Sequence, residues 1–248
     1  MLREARLSKI LEVVNERKYV SFHDLMEITG ASESSIRADL VFLANEGKII
    51  RLRGGAQAIE EERSSVHELS VEAKMELQVE EKKKIAKYAA TLVKDNSAIY
   101  VDAGTSTYHF VEALEAKNVK VLTNSVTIAR KLKSKGYRVY ITGGEFKSIT
   151  DAFIGPMTRD IISKFSFDLG FFGCNGVDLK QGLTTPDYEE AVVKTAAMEQ
   201  CKKVYVLADH TKFGVKTAVT FHPFDGKEII TDKITSKEFK NKNIIEVK

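Results

Sequence analysis

The chain has 248 residues, 43% of them hydrophobic, which is enough to bury the cores of two domains, and its net charge of +3 argues against a general affinity for polyanions. The two cysteines, Cys174 and Cys201, have no metal-ligand spacing, and the sequence shows no signal peptide or long apolar run. We therefore expect a cytoplasmic protein with reduced core thiols, no metal, no cofactor and no membrane partner.

Three short amphipathic helices are predicted for residues 1–46. The first two carry apolar stripes at helical spacing, namely Leu7, Ile10, Leu11 and Val14, then Phe22, Leu25, Met26 and Ile28. Ser21 is a candidate cap of the second helix, and Gly30 permits a tight turn before the third. The third helix begins after the candidate cap Ser32 and buries Ile36, Leu40 and Leu43.

The opposite face of the third helix is small and polar. It presents Glu33, Ser34, Ser35, Arg37 and Ala38, a surface able to approach base edges and phosphates in a DNA groove. The pattern predicts a recognition helix. A helical dimerisation module has a similar pattern, and residues 1–56, with nine basic and eight acidic residues, do not decide between the two by charge.

A short basic hairpin is predicted next. Gly47 ends the third helix, residues 48–53 alternate cations with aliphatic residues, and Gly54-Gly55 turns the chain. This hairpin places Lys48, Arg51 and Arg53 on one exposed side, where they can hold DNA phosphates.

A polar joint leads to the second half of the chain. Residues 57–84 contain neither Pro nor Gly, which favours a partly helical connection over a flexible tether. The lysine run Lys82, Lys83 and Lys84 is interpreted as the solvated face of a helix that begins at Val79.

Strands and helices alternate from residue 98 onward. The predicted strands are 98–101, 119–122, 137–141, 167–172 and 204–208, and the predicted helices are 108–116, 126–132 and 188–200. This alternation predicts a parallel sheet of βαβ units, in which ligands collect at the carboxyl ends of the strands.

Small polar clusters follow four of these strands, at residues 102–107, 123–125, 142–145 and 173–176. In the first, Gly104 lets the backbone approach a ligand, and three hydroxyl residues lie at a helix N-terminus, where free amides favour a phosphate. Each cluster alone is also an ordinary helix cap. Four clusters at successive strand ends predict a phosphate-binding site.

Three charged residues complete the predicted site. Glu190 and Lys194 lie one helical turn apart, either as an exposed pair worth about 0.3 kcal/mol or as groups directed at a sugar phosphate. Lys212 follows a strand and offers a counter-charge, and the neighbouring His210 is interpreted as structural.

Residues 32–56 resemble the winged helix-turn-helix signature of the DeoR family of bacterial transcriptional repressors. The likeness rests on Ser32, Arg37, Asp39, Leu40, Leu43, Gly47 and Gly54-Gly55-Ala56. Ser35, Ala38 and Arg53 stand where the family usually has Thr, Arg and His. These departures leave the fold expectation intact and concern which operator sequence is bound.

The second half resembles the same family, through the clusters at 102–107, 123–125 and 142–145 and through residues 168–177 and 209–214. This domain is similar to the ribose-5-phosphate isomerase fold, which raises the alternative of an isomerase-like enzyme with an accessory DNA-binding head. The isomerase motif DLVIDGADE lies over residues 168–176, and three of its acidic positions become Phe172, Asn175 and Gly176. Because isomerisation needs a positioned carboxylate, we expect a binding pocket without catalytic residues.

The resemblance implies an α/β protein with three parts. Residues 1–57 form a winged helix-turn-helix domain, 58–78 a linker, and 79–248 a parallel-sheet domain that binds a sugar-phosphate effector. Asn175-Gly176 with residues 182–187 resembles the fructose-operon repressors, which implies release from operator DNA by fructose 1-phosphate, with tagatose 6-phosphate as a related alternative. A homo-oligomer, dimer or tetramer, is expected; a protein-interaction module without DNA binding is the third alternative.

The site residues are predicted as follows. Double-stranded operator DNA contacts Ser32, Ser34, Ser35, Arg37, Lys48, Arg51, Arg53 and Gly54. The phosphorylated sugar contacts Asp102, Gly104, Thr105, Ser106, Thr107, Thr123, Asn124, Gly143, Gly144, Asn175, Glu190, Lys194 and Lys212.

Overall fold

The computed structural model describes residues 2–17, 19–52, 54–58, 69–224, 228–240, 242 and 244–247. The chain divides into two compact units, the first comprising Met1–Glu62 with Met75–Leu77, and the second Arg63–Lys74 with Gln78–Lys248. The predicted linker, residues 58–78, is shared between them. No helix among the described residues is long and apolar enough to cross a membrane.

The first unit combines three helices with a small antiparallel sheet in its described part. Its elements are α1 (Arg3–Arg17), β1 (Tyr19–Ser21), α2 (Phe22–Thr29), α3 (Glu33–Asn45), β2 (Ile49–Leu52) and β3 (Gly55–Ala58), with the strand order β1-β3-β2. The apolar stripes predicted from the sequence meet in one core around Ile10, Leu25, Ile36 and Leu40, all fully buried. The predicted winged helix-turn-helix arrangement is confirmed.

Local chemistry fixes the turns of this unit. Ser21 accepts a hydrogen bond from the amide of Asp24, whose side chain reaches back to the Ser21 amide, so α2 begins in a capping box. Gly30 ends α2 at φ +66°, a left-handed conformation that favours glycine. A Cβ atom on Gly55 would lie 2.0 Å from the carbonyl oxygen of Val20, so glycine is what lets β3 pass β1.

The second unit is larger, and its helices and strands alternate. Its helices are α4 (Val71–Met75), α5 (Val79–Thr91), α6 (Thr105–Ala113), α7 (Val126–Ser134), α8 (Gly155–Ile162) and α9 (Tyr188–Glu199). Its strands are β4 (Ala98–Val101), β5 (Lys120–Thr123), β6 (Arg138–Ile141), β7 (Glu145–Lys147), β8 (Ala152–Ile154), β9 (Phe167–Gly173), β10 (Gly176–Asp178), β11 (Gly182–Thr185), β12 (Cys201–Leu207), β13 (Val219–His222), β14 (Glu228–Thr231) and β15 (Ile244–Glu246). Met75, the last residue of α4, is the point at which the chain passes to the first unit.

A seven-stranded parallel sheet in the order β15-β14-β12-β9-β4-β5-β6 frames this unit. Ile99 and Val101 pack with α5, α6 and α7 on one face, and Tyr100 between them packs with α8 and α9 on the other. Because both faces are covered, the central strands carry continuous apolar runs, such as residues 99–101 in β4 and 204–207 in β12. Two smaller antiparallel sheets, β10-β11-β13 and β7-β8, complete the described part.

The predicted parallel-sheet class is confirmed, but some boundaries differ. Helix α6 begins at Thr105 rather than at residue 108, because the apolar period starts only after the hydroxyl cluster that forms its first turn. Strand β12 begins at Cys201 rather than at residue 204, because its first residues include two exposed lysines that interrupt the apolar run. The interpretation of the 82–84 run as solvated is wrong at Lys82, which is 4% exposed and faces the interior.

Candidate DNA-binding face and effector site

The polar face of α3 is exposed as predicted. Ser32 caps the helix by accepting a hydrogen bond from the amide of Ser35, and its hydroxyl lies 3.1 Å from that of Ser34 and 3.0 Å from that of Ser35. Ile36 and Leu40 turn into the core from the other side. The serines therefore form a compact surface of exchangeable donors and acceptors, the groups that base edges and phosphates require.

Arg37 lies on the same face and is held within its own unit. Its Nε and Nη2 atoms donate to Oε1 of Glu33 at 2.9 and 2.6 Å, and its guanidinium lies 4.8 Å from the centre of the Phe22 ring. The side chain is half exposed. Any contact between Arg37 and DNA therefore competes with an acidic neighbour one turn away.

The basic hairpin presents its cations unequally. Lys48 is exposed, whereas Arg51 is 21% exposed and donates from Nη1 to Glu76 at 2.5 Å. Gly54 is exposed beside Tyr19, whose hydroxyl lies 3.4 Å from the position of a Cβ atom there. Arg53, the third predicted phosphate contact, lies outside the described residues. Among the described cations of this hairpin, Lys48 is the exposed one.

Asp39 is a part of this unit that the helical pattern alone does not reveal. It is 1% exposed and receives Arg6 at 2.5 Å and Arg3 at 3.2 Å, which ties α1 to α3. Asp39 therefore braces α3 against α1 from the buried side of the helix, behind its polar face.

The carboxyl edge of the parallel sheet brings several predicted effector residues together. Asp102, directly after β4, accepts hydrogen bonds from the ammonium of Lys194 and from the amide of Gly173 at 3.1 Å. Lys194 also donates to the carbonyl of Gly173 at 3.2 Å. Strands β4 and β9 are neighbours, and α9 packs across them, so these three groups meet although they are far apart in sequence.

The charge state of this pair follows from its surroundings. Burial alone lowers the pKa of Lys194, but the carboxylates of Asp102 and Glu190 outweigh it, and the pKa lies above its ordinary value. Burial raises the pKa of Asp102, and the Lys194 ammonium and the Gly173 amide oppose that rise. The site therefore holds a buried ammonium at neutral pH.

Glu190 and Lys194 point into the domain and do not form an exposed pair. Glu190 is 8% exposed, and its Oε1 accepts from Thr150 at 2.7 Å and from Lys147 at 3.0 Å. Its amide is capped by Asp187 at the start of α9. Lys147, Thr150 and Asp187 were not predicted, because nothing in their local sequence distinguishes them from ordinary loop residues.

Asn175 stands beside this carboxylate. Its Oδ1 lies 3.3 Å from the hydroxyl of Thr185, which is also 3.4 Å from Oε2 of Glu190. Phe172, at a second former acidic position, is fully buried in the core. A Cβ atom on Gly176, the third, would lie 2.3 Å from the carbonyl oxygen of Val215. Two of the three positions therefore serve packing rather than the site.

The first polar cluster forms an uncapped helix start. Among the described residues no side chain caps α6, whose N-cap is Gly104, and the hydroxyl of Thr107 donates back to the Gly104 carbonyl at 2.9 Å. The first amides of a helix have no intrahelical partner, so those of Thr105 and Ser106 are available to an anion.

The second and third polar clusters fix the loops near the start of α6. Asn124 accepts from the amide of Ala103 at 2.9 Å and donates to the carbonyl of Phe153, while Thr123 accepts from the amide of Ser125. Gly143 and Gly144 have φ of +65° and +117°, and a Cβ atom on Gly144 would lie 2.2 Å from Oγ1 of Thr158. These glycines are needed by the turn itself.

A second basic group lies at the end of β12. Lys212 makes no ion pair or side-chain hydrogen bond with the part of the chain that the structure describes, and it is half-buried. Asp209 before it accepts from the amide of Thr211 at 3.0 Å. His210 is bound by Asp232 at 2.7 Å, which agrees with a structural role.

Two family models match the chain. Residues 6–62 match the DeoR-like helix-turn-helix domain, and residues 77–233 match the DeoR C terminal sensor domain. The chain belongs to the DeoR family. The predicted resemblance is thus confirmed for both units, and the polar face of α3 is part of a DeoR-family helix-turn-helix.

Members of the DeoR family with curated names cover nearly the same length. The chain is 35% identical to the uncharacterized HTH-type transcriptional regulator FruR of Bacillus subtilis (strain 168), over 100% of this chain and 99% of the relative. It is also 35% identical to the glycerol-3-phosphate regulon repressor of Escherichia coli (strain K12), over 86% of this chain and 84% of the relative. Among solved structures, ribose 5-phosphate isomerase from Plasmodium falciparum aligns with a TM-score of 0.40 and 16% identity, over 53% of this chain and 52% of the isomerase.

Metal-binding geometry in this DeoR-family chain is confined, among the described residues, to an exposed group on α2, His23, Asp24 and Glu27, whose ligand atoms lie within 4.8 Å of one another. The Asp24 carboxylate is already committed to the capping box with Ser21. The two cysteines form no disulfide with the described residues. Burial raises the pKa of Cys174 to about 12, so it is a poor thiolate ligand at neutral pH.

Proposed function

We propose that the protein is a transcriptional repressor of a sugar-utilisation operon that leaves its operator when a phosphorylated ketose binds the second unit. The observation that carries this proposal is one edge of the parallel sheet in the second unit, which holds the buried ammonium of Lys194 and the unpartnered amides at the start of α6. The first unit of the same chain carries an exposed polar face on α3. A binding domain joined to a DNA-binding domain is the arrangement of a sensor.

The charges of the site favour a phosphate ester. The helix dipole and free amides of α6 attract an anion. The Lys82 and Lys212 cations both act on the single carboxylate of Asp209, which leaves an excess of positive charge at this edge. Asn175 and Thr185 offer donors and acceptors for sugar hydroxyls. A neutral sugar would leave this excess positive charge in place, so we infer that the phosphoryl group supplies much of the affinity.

Binding without catalysis is favoured by the carboxylates. The proton transfer of an aldose–ketose isomerase requires a free carboxylate beside the substrate. Asp102 is engaged by Lys194 and Gly173, Glu190 is engaged by Lys147 and Thr150, and Asn175 cannot act as a base. We therefore propose a non-enzymatic protein.

We propose fructose 1-phosphate as the effector. The resemblance of Asn175-Gly176 and residues 182–187 to fructose-operon repressors supports it, as does the similarity to a regulator named FruR. Tagatose 6-phosphate is the second candidate, because it offers the same phosphate and a closely related ketose.

Operator binding requires two or more chains in this proposal. In a homo-oligomer, paired α3 helices reach the half-sites of a symmetric operator, where Ser34, Ser35 and Arg37 contact bases and Lys48, Arg51, Arg53 and Gly54 contact the backbone. The effector lowers operator occupancy only if it binds the DNA-incompetent arrangement more tightly, because equal affinity for both shifts nothing.

Calorimetry and fluorescence anisotropy test the proposal. Fructose 1-phosphate should bind, free fructose should not, and only the former should release a promoter fragment from the protein. Equal binding of the unphosphorylated sugar contradicts the site assignment. Ribose 5-phosphate should not be isomerised, and measurable turnover that Lys194→Met abolishes would restore the enzyme alternative.

A further inference from the structure

Lys82 lies between the proposed effector site of the second unit and α4, the helix after which the chain enters the first unit. It is on α5, which packs against α6 and β12, the elements whose ends carry residues 105–107 and 209–212. Its side chain is 4% exposed, and its Nζ donates at 2.5 Å to the carbonyl oxygen of Lys74 in α4. A buried ammonium from the sheet domain therefore holds the helix that leads back to the first unit.

The bond from Lys82 closes the C-terminal end of α4. That helix has five residues, too few to be stable on its own in water, and its last carbonyls have no intrahelical partner. A cation at a helix C-terminus satisfies such a carbonyl and complements the helix dipole. The position of α4 thus depends on one side chain of α5.

The turn between α4 and α5 is strained, so the position of α4 depends more strongly on the contacts of Lys82. Gln78 has φ of +49° and ψ of +43°, a left-handed conformation that residues with a Cβ atom rarely adopt. The amide of Lys82 donates to the carbonyl of Gln78 at 2.9 Å. Lys82 therefore closes this turn through both its main chain and its side chain.

The Lys82 ammonium also interacts electrostatically with charged residues of the proposed effector site. The charges of Lys212 and Asp209 act on Lys82, and burial lowers its pKa to about 8. The Oδ2 atom of Asp209 is buried and has no hydrogen-bond partner among the described residues. The amide of Lys212 donates to the carbonyl of Asp209 at 3.0 Å, and Lys82 acts electrostatically on the same carboxylate from α5, which packs against β12. Two cationic side chains against one carboxylate leave an excess positive charge that an anion can neutralise.

We propose that Lys82 is a latch that transmits effector occupancy to α4. Without ligand, its ammonium holds the Lys74 carbonyl; a phosphoryl group bound beside Lys212 draws the ammonium away and frees α4. The residues after Lys74 are Met75–Leu77, which associate with the first unit, Leu77 packing against its core. Release of α4 therefore changes the constraint on the chain that enters the DNA-binding unit. This inference rests on the proposed function for the identity of the ligand.

Two matched variants test the latch. Lys82→Met keeps the buried stem and removes the ammonium, whereas Lys84→Met removes an exposed lysine of the same run. Hydrogen exchange of the full chain, without ligand, should be about tenfold faster at residues 69–78 in Lys82→Met and unchanged in Lys84→Met. Equal exchange in the two variants overturns the latch.

The ligand arm uses fructose 1-phosphate as the probe. In the wild type it should accelerate exchange at residues 69–78 and lower operator affinity about tenfold, and Lys82→Met should start from the lower affinity and respond no further. This wild-type measurement does not depend on the folding of a variant. If the wild type binds fructose 1-phosphate and leaves the operator with no change at 69–78, the latch is wrong and the proposed function stands. If it binds no fructose 1-phosphate while Lys82→Met still accelerates exchange, the latch is supported and the effector assignment is wrong.

Discussion

The Nε atom of Arg6 lies 2.5 Å from a carboxylate oxygen of Asp39, and Arg3 approaches the other oxygen at 3.2 Å. Arg6 and Asp39 belong to α1 and α3, and the carboxylate is buried. The pair therefore ties α1 to α3 on the buried side of α3. Together with the burial of Ile36 and Leu40 in the core, it holds the helix with Ser34 and Arg37 outward.

Replacing Asp39 with Ala should destabilise the first unit by about 2 kcal/mol, because Arg6 then stays mostly buried without a partner. Denaturant unfolding followed by circular dichroism measures the change. Glu33→Ala is the control, since it breaks an exposed ion pair on the same helix that contributes less than about 0.5 kcal/mol. Equal losses in the two variants would show that the Asp39 contacts do not brace α3.

Glu33→Gln should strengthen operator binding severalfold, because it releases Arg37 from a hydrogen bond of 2.6 Å and removes a negative charge beside the DNA phosphates. Arg37→Ala should weaken binding by about tenfold or more. Fluorescence anisotropy at one fixed salt concentration measures both. Glu46→Gln makes the same charge change at the other end of α3. An equal gain from Glu46→Gln would reduce the Glu33 effect to net charge, and unchanged operator affinity of Arg37→Ala would remove Arg37 from the recognition surface.

The sequence predicted the elements whose causes are local. Apolar residues at helical spacing, the cap at Ser21 and the glycine at Gly30 determine the helices of the first unit, and apolar runs determine the central strands of the second. The start of α6 could not be placed from apolar spacing, because Thr105 and Ser106 contribute helix amides rather than an apolar face.

The candidate site was predicted in part, and the missing part is long-range. Parallel strands place their carboxyl ends at one edge, so Asp102 and Asn124 could be predicted to lie near the site. Lys147 and Thr150 reach Glu190 from a neighbouring hairpin segment, and Lys82 is buried on α5, which packs against α6 and β12. These contacts depend on the three-dimensional packing. The individual roles of the predicted site residues stay predictions.

A double-mutant cycle on Asp102 and Lys194 should show strong coupling. Lys194→Met leaves the Asp102 carboxylate buried with the Gly173 amide alone and should cost about 3 kcal/mol of unfolding free energy. Asp102→Asn in that background should restore part of the loss, because no buried charge remains. Lys202→Met, whose ion pair with Asp168 is exposed, is the control and should change stability little.

Additive losses in this cycle would contradict the ion pair between Lys194 and Asp102 that the structure shows. Fructose 1-phosphate binding separates stability from function, because the double variant should remain unable to bind the ester even where its stability recovers. Calorimetry on the folded double variant measures this.

Gly55→Ala should destabilise the first unit by about 2 kcal/mol or more, because the new methyl group would lie 2.0 Å from the carbonyl oxygen of Val20 and must displace β3 from β1. Gly54→Ala meets only the Tyr19 hydroxyl at 3.4 Å and should be tolerated in stability. Thermal unfolding of both variants gives the comparison. A Gly55→Ala protein as stable as Gly54→Ala would mean that β3 does not pass β1 this closely.

The pH dependence of stability should reveal Lys82. Its pKa is lowered to about 8 by burial and by Lys212, with Asp209 and Glu81 opposing and Lys74 adding to the shift, whereas in the unfolded chain it is about 10.4. Between these two values the unfolded chain binds more protons than the folded one, so the free energy of unfolding rises with pH across that window. Below pH 8 the lysine is protonated in both states, and the full cost of burying the ammonium remains.

The difference between the two pKa values corresponds to about 3 kcal/mol, gained by the wild type as pH rises from 8 towards 10.4. Lys82→Met lacks this gain, so its unfolding free energy relative to the wild type should fall across the window, while Lys84→Met should track the wild type. Urea unfolding at pH 7, 8, 9 and 10 measures all three proteins. Parallel curves for Lys82→Met and the wild type would show that the Lys82 ammonium is solvated in the folded protein. A solvated ammonium gains little from its hydrogen bond to the Lys74 carbonyl, so this bond would then not hold α4.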